Sequence, residues 1–177
     1  MIETERLILR AFRDEDRAPF AAINGDPRVA DWLGGAIDRA ASDALLDRIN
    51  EDIARLGYCG WAAERKVDRA LVGMIGLHLE SEAPPAPCVE MTWRLAVDAQ
   101  GQGLATEGAA AALAWGFANL PVGEILAWTG ATNLASQAVM RRIGMAPDPS
   151  RDFDHPRLAP DHPLRRHVLF TARRPGV

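Results

Sequence analysis

Polar and apolar residues alternate over Arg6–Arg10, and the segment Glu5–Phe12, ERLILRAF, predicts a first strand. Asp14-Glu15-Asp16 follows. Asp14 suits a helix N-cap, and acids in a first turn meet the positive end of the helix dipole. That helix is expected to run to about Asn24, with Gly25 and Pro27 breaking it. Ile37–Leu56 sets Ala41, Leu45, Ile49, Ile53 and Leu56 near helical spacing, which predicts an amphipathic helix ended by Gly57.

Cys59–Lys66 and Ala70–Glu80 predict two strands joined by the polar turn Val67-Asp68-Arg69. Glu82–Pro87 is a proline-rich loop, and Cys88–Val97 is the next strand. The period then changes. Gly103–Leu120 predicts a helix whose small residues at Ala109–Ala112 allow close packing on a sheet. Glu124–Thr129 predicts a strand and Asn133–Ile143 a helix. Met145–Phe153 and Leu164–Arg173 predict two closing strands around the Pro- and His-rich loop His155–Pro163. The mixed order, with a strand–helix–strand unit at Cys88–Thr129, argues an α/β or α+β architecture. No repeat or linker divides the chain, so a single domain over residues 1–177 is expected.

Composition narrows the partners. The chain is 48% hydrophobic and 25% charged, an ordinary globular balance. Its formal charge of −4 offers no electrostatic footprint for nucleic acid and mildly favours an amine-bearing partner. Cys59 and Cys88 stand in no CxxC or Cys/His cluster, so no metal site is expected, and a reducing compartment suits them. The opening MIETERLILRAFRDEDR has no apolar core of a signal peptide. The apolar run Gly108–Ala118 falls well short of the roughly 18 residues of a membrane span. A cytoplasmic protein with no membrane partner is therefore expected.

The candidate chemistry lies between the predicted strand Cys88–Val97 and the helix after it. Val97-Asp98-Ala99-Gln100-Gly101-Gln102-Gly103-Leu104-Ala105-Thr106 makes that connection. Its two glycines permit a tight turn and close approach of backbone to a ligand. The unpaired N–H groups of a first helical turn, with the helix dipole, suit a pyrophosphate. No Lys-Ser/Thr follows the glycines, so this is not a P-loop. Ala105-Thr106 stands where a Rossmann turn has its third glycine. Taken alone, the segment also fits a plain glycine-rich turn.

Gln100-Gly101-Gln102-Gly103-Leu104-Ala105 resembles the Q/R-x-x-G-x-G/A signature of the GNAT acetyltransferase superfamily, and GQGLATEG resembles its RimJ/RimL branch, the ribosomal-protein-type N-acetyltransferases. Three further segments agree in order: Glu3–Arg10 with the branch's opening strand, Val89–Ala96 with its central strand, and Asn133-Leu134-Ala135-Ser136 followed by Arg142-Ile143-Gly144-Met145 with its N-x-x-S…k-x-G-F motif. The resemblance implies a mixed, mostly antiparallel sheet of six to seven strands flanked by helices, with two splayed central strands. It implies acetyl-CoA as co-substrate and an amine acceptor, either a protein N-terminus or a small molecule. Carried onto this chain, Leu95, Ala96 and Val97 would pair with the pantetheine arm. Gln100, Gly101, Gln102, Gly103, Leu104, Ala105 and Thr106 would hold the pyrophosphate. Asn133 and Ser136 would meet the arm from the far side.

Transfer to an amine needs a neutral nitrogen, a stabilised oxyanion and a proton for the leaving thiolate. Backbone N–H groups near Trp93–Leu95 are the expected oxyanion donors. Glu90 is the candidate base; its plainer role is to orient the amine or to pair with Arg94. His78 is a weaker base candidate, because a lone strand histidine is more often structural. Relatives often carry a tyrosine acid in the closing strand, but His167-Val168-Leu169-Phe170 puts a phenylalanine there. Ser136, or water, then becomes the candidate partner of the sulfur, although a helix-start hydroxyl also serves the backbone. One or two of Trp32, Trp61, Trp93 and Trp128 are expected in the acceptor pocket, and Asp154–Pro163 is expected as a substrate-side loop or a homodimer contact. A non-catalytic CoA-binding module is the competing reading, favoured by Phe170.

Overall fold

Why the sheet opens in its middle follows from how its strands are ordered. The computed structural model describes every residue except Ala83, Pro85, Pro175 and Val177, so part of the expected loop Glu82–Pro87 lies outside the described residues. Strands β1 (Ile2–Glu3) and β2 (Leu7–Arg10) lead into helices α1 (Arg17–Gly25), α2 (Pro27–Ala30) and α3 (Arg39–Leu56). Strands β3 (Gly60–Arg65), β4 (Leu71–Glu80) and β5 (Cys88–Leu95) follow, then α4 (Leu104–Asn119), β6 (Glu124–Gly130) and α5 (Leu134–Arg142). The chain closes with β7 (Ala146–Pro147), β8 (Phe153–Asp154) and β9 (Arg166–Arg173). The sheet runs β1-β2-β3-β4-β5-β6-β9-β7, with β8 also on β9. Every pairing is antiparallel except β5 with β6. This is the expected mixed, mostly antiparallel sheet flanked by helices. Three two-residue strands, β1, β7 and β8, raise the expected six or seven to nine.

Alternation along the strands divides the core between two faces. Trp61, Ala63, Ile75 and Leu77 join one cluster with Ala109 and Ala112 of α4. Their sequence neighbours Ala62 and Met74 join the other, with Phe20 of α1 and Leu46 and Ile49 of α3. Helix α4 lies close to the sheet because it carries glycine where it touches. A Cβ at Gly108 would stand 2.6 Å from Ile75 Cδ1, and one at Gly116 2.7 Å from Leu77 Cδ1.

Several boundaries differ from expectation. Asp14 is not an N-cap: Asp14–Asp16 is a 3₁₀ turn whose N-cap is Arg13, and α1 starts at Arg17. The cause is Asp16, which is drawn inward to accept from Arg10 Nη1 at 2.6 Å and from the Arg13 N–H at 2.7 Å. Helix α1 ends at Gly25 as expected, and Pro27 then opens a separate helix, α2, with Asp26 as N-cap accepting the Arg28 N–H. In α3 the buried stripe is Ser42, Leu46 and Ile49, while Ala41 is exposed, because the Ser42 hydroxyl accepts from buried Asn24 Nδ2 at 2.8 Å. The continuous strand expected over Met145–Phe153 is instead β7, a 3₁₀ turn at Pro149–Arg151, and β8. Prolines 147 and 149 cannot donate to a ladder, and Asp152 Oδ1 accepts the Leu169 N–H at 2.9 Å. Strand β5 ends at Leu95, where Val97–Ala99 turns as a 3₁₀ helix.

A buried ion cluster fastens β2 to this framework. Arg10 reaches Asp16 and Glu64, each at 2.6 Å, and all three side chains are at least nine-tenths buried. Arg10→Met would leave Asp16 enclosed without its cation, whereas Arg13 and Arg69 still reach Glu64. The expected loss is about 3 kcal/mol, the lower end for a broken buried pair. A denaturant titration checks it through the midpoint, at unchanged slope.

Candidate functional site

Strands β5 and β6 are paired at a single position, Glu90 with Leu126, and separate beyond it. The ladder between β5 and β4 continues to Leu95, and past it the Ala96 N–H donates to Val72 O at 2.9 Å. In an antiparallel ladder, backbone groups face the partner strand at every second residue. With Ala96 facing β4, the N–H and C=O of Trp93 face the opening. The Leu95 carbonyl, on the same side, already accepts from Gln100 Nε2 at 3.0 Å. The opening is part of a cavity of about 630 Å³.

The N-terminus of α4 lines this cavity. Gly101 and Gly103 have φ of +72° and +80°, which glycine adopts without strain. Gly103 is the N-cap and has no side chain to accept the free N–H groups of Leu104, Ala105 and Thr106. All three residues line the cavity, as do Gln100, Gly101 and Gly103. The donor set and the dipole fit an anion such as a pyrophosphate. Outside the cavity, Arg6 braces the turn, with Nε on Glu107 at 2.6 Å and Nη1 on Gln102 O at 2.9 Å.

Across the opening stands the start of α5. Asn133 is its N-cap, and its Oδ1 accepts the Ser136 N–H at 3.1 Å, while its amide nitrogen has no partner among the described residues. Asn133 and Ser136 both line the cavity.

The face of β5 that carries Glu90, Thr92 and Arg94 forms the other wall, opposite residues of α2 and the turn after it, Val29, Trp32 and Leu33. The Glu90 side chain makes no hydrogen bond or ion pair among the described residues. Loss of water, with a smaller push from Glu80, raises its carboxyl to about 8 from its ordinary 4.5. Arg94 does not pair with it. Its Nη1 donates to Asn24 Oδ1, and its Nε is enclosed without a partner. Burial lowers the guanidinium to about 10, so it remains a cation at neutral pH. His155 and His167 also line the cavity, with ring centroids 4.9 Å apart. Burial holds both imidazoles below their ordinary range.

Most of the residues singled out in the sequence thus meet at one place: Glu90, Leu95, Gln100, Gly101, Gly103, Leu104, Ala105, Thr106, Asn133 and Ser136 line the cavity. Ala96, Val97 and Gln102 are not among its lining residues. The Ala96 N–H is taken by Val72, Val97 opens a helical turn, and the Gln102 carbonyl is taken by Arg6. Of the tryptophans, Trp32, Trp93 and Trp128 line it, whereas Trp61 packs edge-on against Trp115 in the core. His78 does not line it. Phe170 is 1% exposed, lies beneath the Arg141 guanidinium, and is not among the lining residues. Sequence reasoning missed Arg94 and His167 as wall residues. The two-residue alternation from Glu90 was a signal for Arg94. His167 had none, because only the pairing of β9 with β6 brings it there. Among the described residues no group of three or more His, Cys, Asp or Glu is placed to hold a metal, and no helix is long and apolar enough to cross a membrane.

Comparison with known proteins agrees with this fold. The uncharacterized protein YkkB of Bacillus subtilis (strain 168) is 28% identical over 143 residues, covering 80% of this chain and 83% of that one. The crystal structure of a GNAT-family acetyltransferase from Bacillus anthracis superposes with a TM-score of 0.79 at 21% identity, over 98% of each chain. Spermidine N-acetyltransferase of Vibrio cholerae, solved with CoA and spermine, superposes with a TM-score of 0.74 at 16% identity, over 96% of each. The family model for the acetyltransferase (GNAT) domain matches residues 6–146. With that match spanning most of its length, the chain belongs to the GNAT acetyltransferase family.

Proposed function

We propose that this protein is an acetyl-CoA-dependent N-acetyltransferase that moves the acetyl group to a primary amine by direct attack in a ternary complex. The observation that carries the reading is the single-pair junction of β5 and β6, which opens into a cavity lined by both the N-terminus of α4 and Glu90. The Vibrio cholerae relative, which holds CoA, supports the same use of the fold. The in-order segments that resemble motifs of the RimJ/RimL branch support a ribosomal-protein-type enzyme.

In this reading the N–H groups of Leu104–Thr106 hold the pyrophosphate, and the pantetheine arm runs between β5 and β6 toward Asn133 and Ser136. The Trp93 N–H, free on the open side of β5, donates to the oxyanion that forms as the amine nitrogen bonds to the thioester carbon. Ionised Glu90 takes the amine's proton, directly or through water. The C–S bond then breaks, and the thiolate gains a proton from Ser136 or water. With an ordinary thiol pKa near 8.5, this leaving group needs little acid help. The products are the N-acetyl amine and CoA.

A non-catalytic CoA-binding role drew its support from Phe170, and that residue lies outside the cavity wall. The two readings separate in one assay, in which the protein is incubated with acetyl-CoA and a broad panel of amines and peptides. Amine-dependent CoA release with a product heavier by one acetyl group is expected. Tight CoA binding with no acetylated product from any acceptor would contradict the transferase.

A further inference from the structure

Arg94 has a role that neither the donor site nor the base requires. Its guanidinium is the one cation on the β5 wall of the acceptor side, and no carboxylate pairs with it among the described residues. Buried Arg10 is treated differently: it pairs with Asp16 and Glu64. Among the described residues Arg94 has one neutral acceptor, Asn24 Oδ1, and its enclosed Nε has none. A single neutral hydrogen bond does not offset the cost of taking a guanidinium out of water.

The side chain is nevertheless held in place. Asn24 is 2% exposed, and its Nδ2 donates to Ser42 Oγ at 2.8 Å, which fixes the amide so that its oxygen faces Arg94. Ser42 is fully buried in α3. Helices α1 and α3 therefore pin Nη1 from one side, and Arg94 lines the cavity. A pre-positioned cation with unspent donors is a receptor for an anion. Its place specifies whose anion. Arg94 is four residues from Glu90 on the same face of β5, about 13 Å along the strand, a span that the two long side chains shorten. An acceptor whose amine lies at Glu90 and whose anionic group spans the remaining distance meets Arg94.

We infer that the acceptor is an amine that also carries a carboxylate, an amino-acid-like molecule whose carboxylate pairs with Arg94 while its amine faces Glu90. This deepens the transferase reading and rests on it for the identity of the reacting end. The planar guanidinium matches the two oxygens of a carboxylate. The same cation disfavours polyamines, which would place a second positive charge beside it.

The test uses matched pairs: phenylalanine against phenethylamine, methionine against 3-(methylthio)propylamine, lysine against cadaverine. Phosphoethanolamine against ethanolamine forms a phosphate arm, and a peptide with an amidated C-terminus a neutral arm. Binding to the CoA-loaded protein is measured by calorimetry, and kcat/KM with acetyl-CoA is measured alongside. The carboxylate member of each pair is expected to bind at least about tenfold tighter, the scale of one charge-assisted bond. Arg94→Gln should erase that preference through KM while CoA affinity is unchanged, and Arg94→Lys should restore part of it. Equal binding within pairs, preference for the phosphate or the amidated peptide, or equal losses on both members in Arg94→Gln would overturn the assignment. Preference without turnover would keep the carboxylate site and retire the transferase. Turnover without preference would do the reverse.

Discussion

Gly103→Glu is expected to abolish acetyl-CoA binding, with at least a hundredfold rise in Kd by calorimetry. Two effects combine. Gly103 has φ of +80°, and an ordinary side chain in that region costs about 1–2 kcal/mol, so the turn that aims the N–H groups shifts. The added carboxylate also settles at the positive end of α4, where it competes with the pyrophosphate for the same donors. A Cβ at this position would come within 3.5 Å of Arg6 Nη2, so crowding is not the cause. Gly103→Asn separates the two effects. Asparagine tolerates the left-handed region and adds no charge, so only a several-fold loss is expected. Wild-type affinity in Gly103→Glu would remove the pyrophosphate from α4.

The second large effect belongs to Glu90. Glu90→Gln should lower kcat/KM for the amine by about a hundredfold, the lower end for a general base. The modest figure has a reason: an α-amine with pKa near 8 is already roughly a tenth neutral at pH 7. Wild-type activity should rise with pH to about 8, where the Glu90 carboxyl ionises, and the variant should lack this limb. An acceptor whose own pKa lies well below 7 keeps amine ionisation out of the profile. An unaltered profile in the variant would exclude Glu90 as base. Stability supplies an independent readout. The folded carboxyl keeps its proton to about 8, while the unfolded chain releases it near 4.5. The folded state thus binds more protons between those values, and the wild type loses stability as pH rises through that window. Glu90→Gln lacks the penalty, so its advantage in Tm should grow from pH 4.5 to 8.

The sequence showed most of the elements because each long strand and helix has its own period. Strand β4, helix α4 and strand β6 came within one residue of their observed ends. The failures lay where a distant partner overrode local pattern. Arg10 pulled Asp16 into a 3₁₀ turn, Asn24 set the phase of α3 through Ser42, and two prolines cut the strand after Met145. The site divides in the same way. The turn Gln100–Thr106 was legible because glycine and a helix start are local signals. The Asn24–Arg94 contact and the approach of His167 join residues far apart in the chain, and no window of sequence contains them.

In a crystal structure with acetyl-CoA, the pyrophosphate is expected within hydrogen-bond distance of the N–H groups of Leu104–Thr106. The thioester is expected between β5 and β6, with its carbonyl oxygen on the Trp93 N–H. A thioester outside that fork, or a pyrophosphate away from α4, would contradict this placement.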